Sequence, residues 1–278
     1  MSDRDAADYL RLSPSGTASA SDFWRYDGAI RAFGGQIIAH AIMSCGRHVP
    51  AGFSLHSIHL HFLKPGSMVE TDYMIKPLRV GRSYAVYQAI AVESGDKHIA
   101  SAVLSFCKKE SGPWLHADVM PTTLLRPPPT EPLVWPSVVP ADDSGRRWYV
   151  SWSPELDGSG AELNASSPPL AHAAALAFLS DHYFLASGFM ADARVREAFD
   201  LNFMASLDHA FFLHEPSFDA SRPMLYESDC TYAASGRALV RGKLWAVDSG
   251  KLIASTVQEG VLRAQAKTEA TALEHSRL

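Results

Sequence analysis

Two stretches of this chain show the same succession of hydrophobic patterns, a helix followed by strands. In the first stretch, apolar residues recur at helical spacing from about residue 34 to Arg47, and alternating runs predict strands at about 53–63, 69–78, 83–94 and 97–108. In the second, Ser167 and Pro168 are typical of a helix start, the helix is predicted to run to about Leu185, and strands are predicted at about 201–214, 224–234, 237–247 and 251–263. One apolar helix per stretch, facing several antiparallel strands, predicts an α+β fold in which a curved sheet wraps each helix.

The second stretch also repeats part of the first stretch letter by letter. AVESGDKHIASAV at Ala91–Val103 returns as AVDSGKLIASTV at Ala246–Val257, and with one gap at Asp96 nine of twelve positions are identical. A weaker echo relates His59–Leu63 to Ala210–His214. Two unrelated strands of similar composition would not share this many positions. The repeat therefore predicts a fused duplication, in which both copies can contribute to one site.

Prolines separate the two copies. Eight of them fall between Glu110 and Asp143, too many for a regular helix or strand. We therefore predict an N-terminal domain over residues 1–112, a proline-rich linker over 113–144, a C-terminal domain over 145–264 and a polar tail over 265–278.

Composition and charge limit the compartment and the partners. The net charge of −5 gives no reason to expect nucleic acid, and three widely spaced cysteines predict a reducing compartment without disulfides. The N-terminus does not have the pattern of a signal peptide, and the longest apolar stretch, Leu170–Leu179, is too short to span a membrane. We expect a soluble, cytoplasmic protein. In a eukaryote the final Ser276-Arg277-Leu278 would instead resemble a peroxisomal address.

The two copies diverge directly after the shared Ile-Ala-Ser. The first continues as the apolar run Ala102–Phe106, whereas the second continues as Thr256–Gly260, with Gln258 at the position of Leu104. The second copy thus has polar residues where the first copy has core residues. This difference predicts a functional site in the second copy and one catalytic centre per chain. No G-x-S-x-G elbow occurs and no cysteine lies in a nucleophile signature, so a covalent hydrolase is disfavoured.

Several segments resemble the type II acyl-CoA thioesterases. They are FGGQ at Phe33–Gln36, HSIHLHFLKPG at His56–Gly66, SDHYF at Ser180–Phe184, SLDHAFFLHEP at Ser206–Pro216 and, after Val240-Arg241-Gly242, ASTVQEGVLR at Ala254–Arg263. The resemblance implies a double hotdog fold, two tandem hotdog domains whose sheets join. It also implies hydrolysis of acyl-CoA by a water molecule that three side chains position and polarise, with no covalent intermediate. The implied catalytic residues are Asp181, Ser206 and Gln258.

These three residue types suit that chemistry. A thioester carbonyl is already activated, so a held water and a carboxylate that accepts its proton are sufficient. Asp181 is the only acid in its predicted helix, where a carboxylate is costly unless it is paired, although it could instead end that helix. Ser206 and Gln258 can both donate and accept hydrogen bonds. Asp208, two residues from Ser206, is expected on the same strand face as a supporting partner.

Other interpretations stay open. A hydratase or dehydratase of the same fold would need an Asp and His pair on its helix, and His182 follows Asp181 about 100° away around the helix. A non-catalytic acyl-CoA binding protein is the second alternative. Gly34 and Gly35 are expected to form a tight helix entry. His59 and His61 are predicted on one strand face and His56 on the other, which disfavours a metal site. We expect no metal, no cofactor beyond the CoA of the substrate, and a homo-oligomer.

Overall fold

The computed structural model describes residues 10–24, 30–123, 126–129, 138–152, 163–190 and 192–267. The helices are α1 (Gly34–Gly46), α2 (Pro169–Leu179), α3 (Ser187–Met190) and α4 (Ala193–Ala198). The strands are β1 (Thr17–Ala18), β2 (Phe53–Phe62), β3 (Thr71–Val80), β4 (Tyr84–Glu93), β5 (Lys97–Lys108), β6 (Val138–Pro140), β7 (Arg147–Val150), β8 (Phe199–Ser206), β9 (Asp208–Leu213), β10 (Met224–Ala234), β11 (Arg237–Ala246) and β12 (Leu252–Ala266). The C-terminal tripeptide lies outside the described residues. None of the described helices is long and apolar enough to cross a membrane.

All described strands join one antiparallel sheet in the order β1-β3-β4-β5-β2-β9-β12-β11-β10-β7-β6, with β8 also pairing β12. Strands β2 and β9 lie side by side in the middle. Outward from them, β5, β4, β3 and β1 on one side match β12, β11, β10 and β7 on the other. This mirrored order confirms the double hotdog fold.

The seam between β2 and β9 lies on a twofold axis of the duplication. His59 faces Ala210, the residue to which the weaker sequence echo relates it. The pairs Ser57–Phe212 and His61–Asp208 lie on either side and are exchanged by the same rotation. The echo therefore marks equivalent strands, and it locates the axis.

Helices α1 and α2 pack against each other in the centre, in opposite directions. Their close approach is possible because α1 has a glycine near each end. A Cβ atom on Gly35 would lie 2.4 Å from the carbonyl oxygen of Phe178, and one on Gly46 would lie 2.0 Å from a methyl carbon of Leu170. Both helices are buried on almost every side, which is typical of helices enclosed by a sheet.

The strongest sequence repeat occupies equivalent strands, as predicted, but its identical letters are not all equivalent positions. Ala91 on β4 pairs with Ala100, whereas the residue that pairs with Ala254, the counterpart of Ala100, is Leu244. The strand before the turn is therefore shifted by two residues in one hairpin relative to the other, when the two are compared by their identical letters. An even offset leaves every side chain on its original face of the sheet, so the core tolerates it.

Two sequence predictions about the second half are wrong. The helix ends at Leu179 rather than near Leu185, because the Ser180 hydroxyl donates to the Ala177 carbonyl oxygen and the following N–H groups make tighter bonds to residues three positions back. The predicted strand at 201–214 is two strands, β8 and β9, separated at Leu207. The predicted domain limits stay predictions, although β6, which pairs with β7, lies in the segment predicted as linker.

Candidate active site

Asp181 lies in the turn after α2, directly at the N-terminus of α1. Its Oδ2 atom accepts a hydrogen bond of 2.8 Å from the backbone N–H of Gly35. A Cβ atom on Gly34 would lie only 2.7 Å from the same oxygen. The glycine pair therefore leaves space for the carboxylate and for α2. The two glycines do lie at the entry of α1, as expected, and neither has a positive φ, so the close approach of these neighbours is what requires glycine there.

Gln258 joins Asp181 to Ser206. Its Nε2 atom lies 2.8 Å from Asp181 Oδ1 and 2.6 Å from Ser206 Oγ. A carboxylate can only accept, so the amide nitrogen is the atom that faces it. The three predicted residues, which come from the turn after α2, from β8 and from β12, thus form one hydrogen-bonded network.

A β-bulge at Leu207 places Ser206 in this network. Val257 pairs with Ala210 and Gly260 pairs with Ser206, so β12 advances three residues while the opposing chain advances four. The N–H of Leu207 donates to the carbonyl of Glu259 at 2.9 Å, which keeps the extra residue attached to β12. Bulges redirect the neighbouring side chains and are common beside active sites.

The first half has the same bulge without the polar residues. Its register shift lies between Leu55 and Ser57. Under the twofold axis Leu55 corresponds to Ser206 and Leu104 to Gln258, and both leucines are buried. The backbone geometry of the site is therefore shared by the two copies, whereas among the residues that the structure describes the polar network lies in the second copy.

Asp208 supports β12 rather than Ser206. Its Oδ1 atom accepts a hydrogen bond of 2.9 Å from the N–H of Glu259, the residue after Gln258. The bulge separates Asp208 from Ser206, so the expected shared strand face is wrong. The carboxylate instead fixes the backbone on which Gln258 stands.

A pocket of about 270 Å³ opens onto Asp181 and Ser206. It is lined by the residues Arg31, Ala32, Phe33, Gly34, Asp181, Tyr183, Phe184, Leu185, Met204, Ala205 and Ser206. Arg31 is the only cation among these residues, and it is exposed. Tyr183 has a φ of 54°, in the left-handed region that non-glycine residues rarely adopt, and so the chain turns sharply at the pocket wall.

Burial changes the acid strength of Asp181. Its side chain is 6% exposed, and desolvation raises the pKa of its carboxyl group to about 7 although the hydrogen bonds from Gln258 and Gly35 act to lower it. A carboxyl group with this pKa is near the midpoint of its titration at neutral pH. Asp181 can therefore both accept and release a proton there.

Two residues beside this network were not predicted as site residues. His209 on β9 is fully buried, with Nδ1 3.9 Å from Asp181 Oδ1 and Nε2 3.0 Å from the Ser180 hydroxyl. The Asp-His pair after Ser206 was visible in the sequence, but nothing in it placed the histidine beside Asp181. Arg31 was missed because no motif marks it, although it lies just before Phe33 and Gly34, which line the same pocket.

The three histidines of β2 lie on one face of the sheet. The ring of His56 contacts Ser105 on the exposed face of the sheet, the face that also carries His59 and His61. The prediction that His56 lies on the opposite face is wrong, because His56 is the extra residue of the first-half bulge. Even so, the described residues contain no cluster of His, Cys, Asp and Glu arranged to hold a metal ion.

Comparison with known proteins gives consistent matches along both halves. Residues 23–107 match the family described as acyl-CoA thioesterase N-terminal domain, and residues 162–261 match the acyl-CoA thioesterase family. Acyl-coenzyme A thioesterase 8 of Rattus norvegicus is 28% identical over 87% of this chain and 83% of its own length. Acyl-CoA thioesterase 2 of Haemophilus influenzae is 26% identical over 83% of this chain and 87% of its own length.

A solved structure agrees with the sequence matches. The crystal structure of the acyl-CoA thioesterase II TesB2 from Mycobacterium marinum has a TM-score of 0.72 and 26% identity, covering 95% of this chain and 99% of that one. The tesB protein of Mycobacterium avium subsp. paratuberculosis, 21% identical with a TM-score of 0.73, shares the fold. Together these matches cover both halves of the mirrored sheet and the segments that form the pocket. The chain belongs to the type II acyl-CoA thioesterases and is a thioester hydrolase.

Proposed function

We propose that the protein hydrolyses acyl-CoA to a free fatty acid and CoA with a water molecule activated by Asp181, Ser206 and Gln258. The observation that carries this proposal is the unbroken network from Asp181 through Gln258 to Ser206 at the pocket wall. The reaction needs no cofactor, since CoA enters as part of the substrate.

Asp181 is the proposed general base. Its carboxylate takes a proton from the water, whose oxygen attacks the thioester carbonyl carbon. The tetrahedral intermediate then collapses, the carbon–sulfur bond breaks, and the thiolate of CoA takes the proton back from Asp181. A pKa near 7 suits both transfers, and such acid–base assistance is worth about 100-fold to 10,000-fold.

Ser206 is the proposed donor to the developing oxyanion. Because Gln258 Nε2 donates to Ser206 Oγ, the hydroxyl proton of Ser206 is free to point into the pocket. Gln258 itself orients both partners and neutralises part of the charge on Asp181. Removal of one oxyanion donor costs about 3 to 4 kcal/mol in other hydrolases.

The pocket accounts for the substrate class. Its walls are largely apolar beside the polar network, which suits an acyl chain whose thioester lies at Asp181 and Ser206. Arg31 provides a positive charge for the phosphates of CoA, which are the strongest anionic groups of the substrate.

Two alternatives lack support in the geometry. A hydratase would use His182 with Asp181, but the His182 ring packs between Trp24, Phe33 and Phe178, and burial lowers its pKa to about 3. A non-catalytic binding protein would not need three polar residues joined by hydrogen bonds beside its pocket, and this chain has them.

We further propose a cytoplasmic homo-oligomer. All three cysteines are free, as in proteins of reducing compartments. Three large apolar side chains of β8 are about two-fifths exposed, namely Phe199, Phe203 and Met204. A second copy of the chain would cover them. Sedimentation of the full chain measures this, and a monomer at micromolar concentration would contradict it.

The central test measures thiol release from saturated acyl-CoAs of increasing chain length. The parent should be active and Asp181→Asn should lose about 100-fold or more in kcat, because it keeps the shape and loses the charge. Asp229→Asn, an exposed acid on β10, is the matched control and should leave kcat unchanged. A near-parent rate for Asp181→Asn would exclude the mechanism.

A further inference from the structure

We propose that His209 is a positioning residue that accepts a hydrogen bond from the protonated form of Asp181. This inference rests on the proposed role of Asp181 as the base. It concerns where the proton is held after Asp181 takes it from water, between attack and release of the thiol.

The tautomer of His209 follows from its neighbour. The Ser180 hydroxyl donates its single proton to the Ala177 carbonyl oxygen, 2.7 Å away. In the 3.0 Å contact between Ser180 Oγ and His209 Nε2, the hydroxyl oxygen must therefore accept, and Nε2 carries the hydrogen. The ring is fully buried, and desolvation lowers its pKa to about 3, so it is neutral. Hence Nδ1 presents a lone pair.

That lone pair faces Asp181. Nδ1 lies 3.9 Å from Asp181 Oδ1. An ionised carboxylate repels it, whereas a carboxylic acid donates to it after an approach of about 1 Å. The other contacts of this carboxyl group are donors, Gly35 N–H and Gln258 Nε2, so they favour the ionised form. His209 is thus the neighbour that favours the protonated one.

Other titratable groups do not replace this acceptor. Tyr226 of β10 is a second titratable group in this region, and it contacts Ser180, the hydrogen-bonding partner of His209. Its hydroxyl donates to the Ser180 carbonyl at 2.6 Å, and burial holds its pKa well above the usual value. Phe184 covers the ring edge on the remaining side.

A matched pair of substitutions separates the two nitrogens. In His209→Gln the amide reaches the position of Nε2, so the bond to Ser180 is kept and the acceptor facing Asp181 is lost. In His209→Asn the amide oxygen reaches the position of Nδ1, so the acceptor is kept. His172→Gln is the control, another buried histidine, which accepts from Ala220 N–H away from the pocket.

The readout is the infrared band of the Asp181 carboxylic acid as a function of pH, assigned by its absence in Asp181→Asn. We expect the titration midpoint to fall by about one pH unit, a tenfold change in the ionisation constant, in His209→Gln. It should stay near the parent value in His209→Asn and His172→Gln. The acid limb of kcat/KM should move with the band, and the plateau kcat of His209→Gln should fall by less than about tenfold, because the base is weaker by about one pH unit and the Brønsted coefficient is below one.

A midpoint that is unchanged in His209→Gln, or that moves equally in both variants, would overturn the inference. If His209→Gln does not fold, Ser180→Ala serves instead. It releases Nε2 from its acceptor, so Nδ1 can carry the hydrogen and donate to the carboxylate, and the midpoint should again fall. The band is independent of turnover. An active Asp181→Asn variant would therefore refute the proposed mechanism, whereas an unmoved band refutes the role of His209.

Discussion

Removal of the Asp181 charge should stabilise the protein while it abolishes catalysis. The carboxyl group is buried, and its pKa of about 7 compares with 3.8 for the ordinary group. Between these values the unfolded chain binds fewer protons than the folded one, so stability falls as pH rises. The difference of about 3 pH units corresponds to about 4 kcal/mol, fully expressed above pH 7.

Asp181→Asn should recover most of this free energy. The variant amide must accept from Gly35 and donate to Gln258, which requires Gln258 to turn its own amide so that Oε1 faces the new donor. We allow about 1 kcal/mol for this change and for a poorer fit. The expected gain in unfolding free energy is therefore about 2 to 4 kcal/mol at pH 8, and it should disappear as the pH falls to about 4, where the parent carboxyl is protonated in the folded state and about half protonated in the unfolded state.

Urea denaturation of the parent and the variant, at steps from pH 4 to pH 8, measures this difference. Asp229→Asn is again the control and should show no comparable trend, since its carboxylate is exposed. If Asp181→Asn is equally stable at all pH values, or is less stable at pH 8, the carboxylate is not the destabilising buried charge described above, and its pKa is not raised by desolvation.

Further substitutions test the roles of the neighbouring groups. Gln258→Leu, which copies the first half, should lower kcat more than Ser206→Ala and less than Asp181→Asn, with losses of up to about 3 to 4 kcal/mol in ΔG‡ from steady-state kinetics. The reverse order would contradict the assigned roles. Arg31→Ala should raise KM for acyl-CoA by about tenfold and leave acyl-pantetheine, which lacks the nucleotide phosphates, unaffected; equal effects on both substrates would exclude a phosphate contact. Titration with a non-hydrolysable acyl-CoA analogue should give one strong site per chain by calorimetry, and two equal sites would refute the asymmetry. Gly34→Ala should lower kcat at least tenfold, because its Cβ would lie 2.7 Å from the carboxylate, and it should also lower stability, because the same Cβ would lie 2.9 Å from the Phe62 ring; an unchanged rate in the folded variant would mean that the carboxylate position is not critical.

The sequence by itself determined most of the helices and strands, and it determined which of the two copies carries the polar residues, because both are local properties. Strand and helix periods follow from which side of each element is buried. The repeated strands revealed the duplication, and Gln258 in place of Leu104 showed which copy kept polar groups. The resemblance to thioesterases then named Asp181 and Ser206.

Tertiary structure decided the rest. The bulge at Leu207 depends on pairing with β12, the position of Asp181 depends on how α1 meets α2, and the offset of two residues between the hairpins depends on pairing across each hairpin. The sequence contains His209, but it does not show that His209 lies beside Asp181 in the folded chain. These contacts join residues far apart in the chain, and no periodicity encodes them. Burial, which sets the acid strength of Asp181, exists only once the two halves have closed around it.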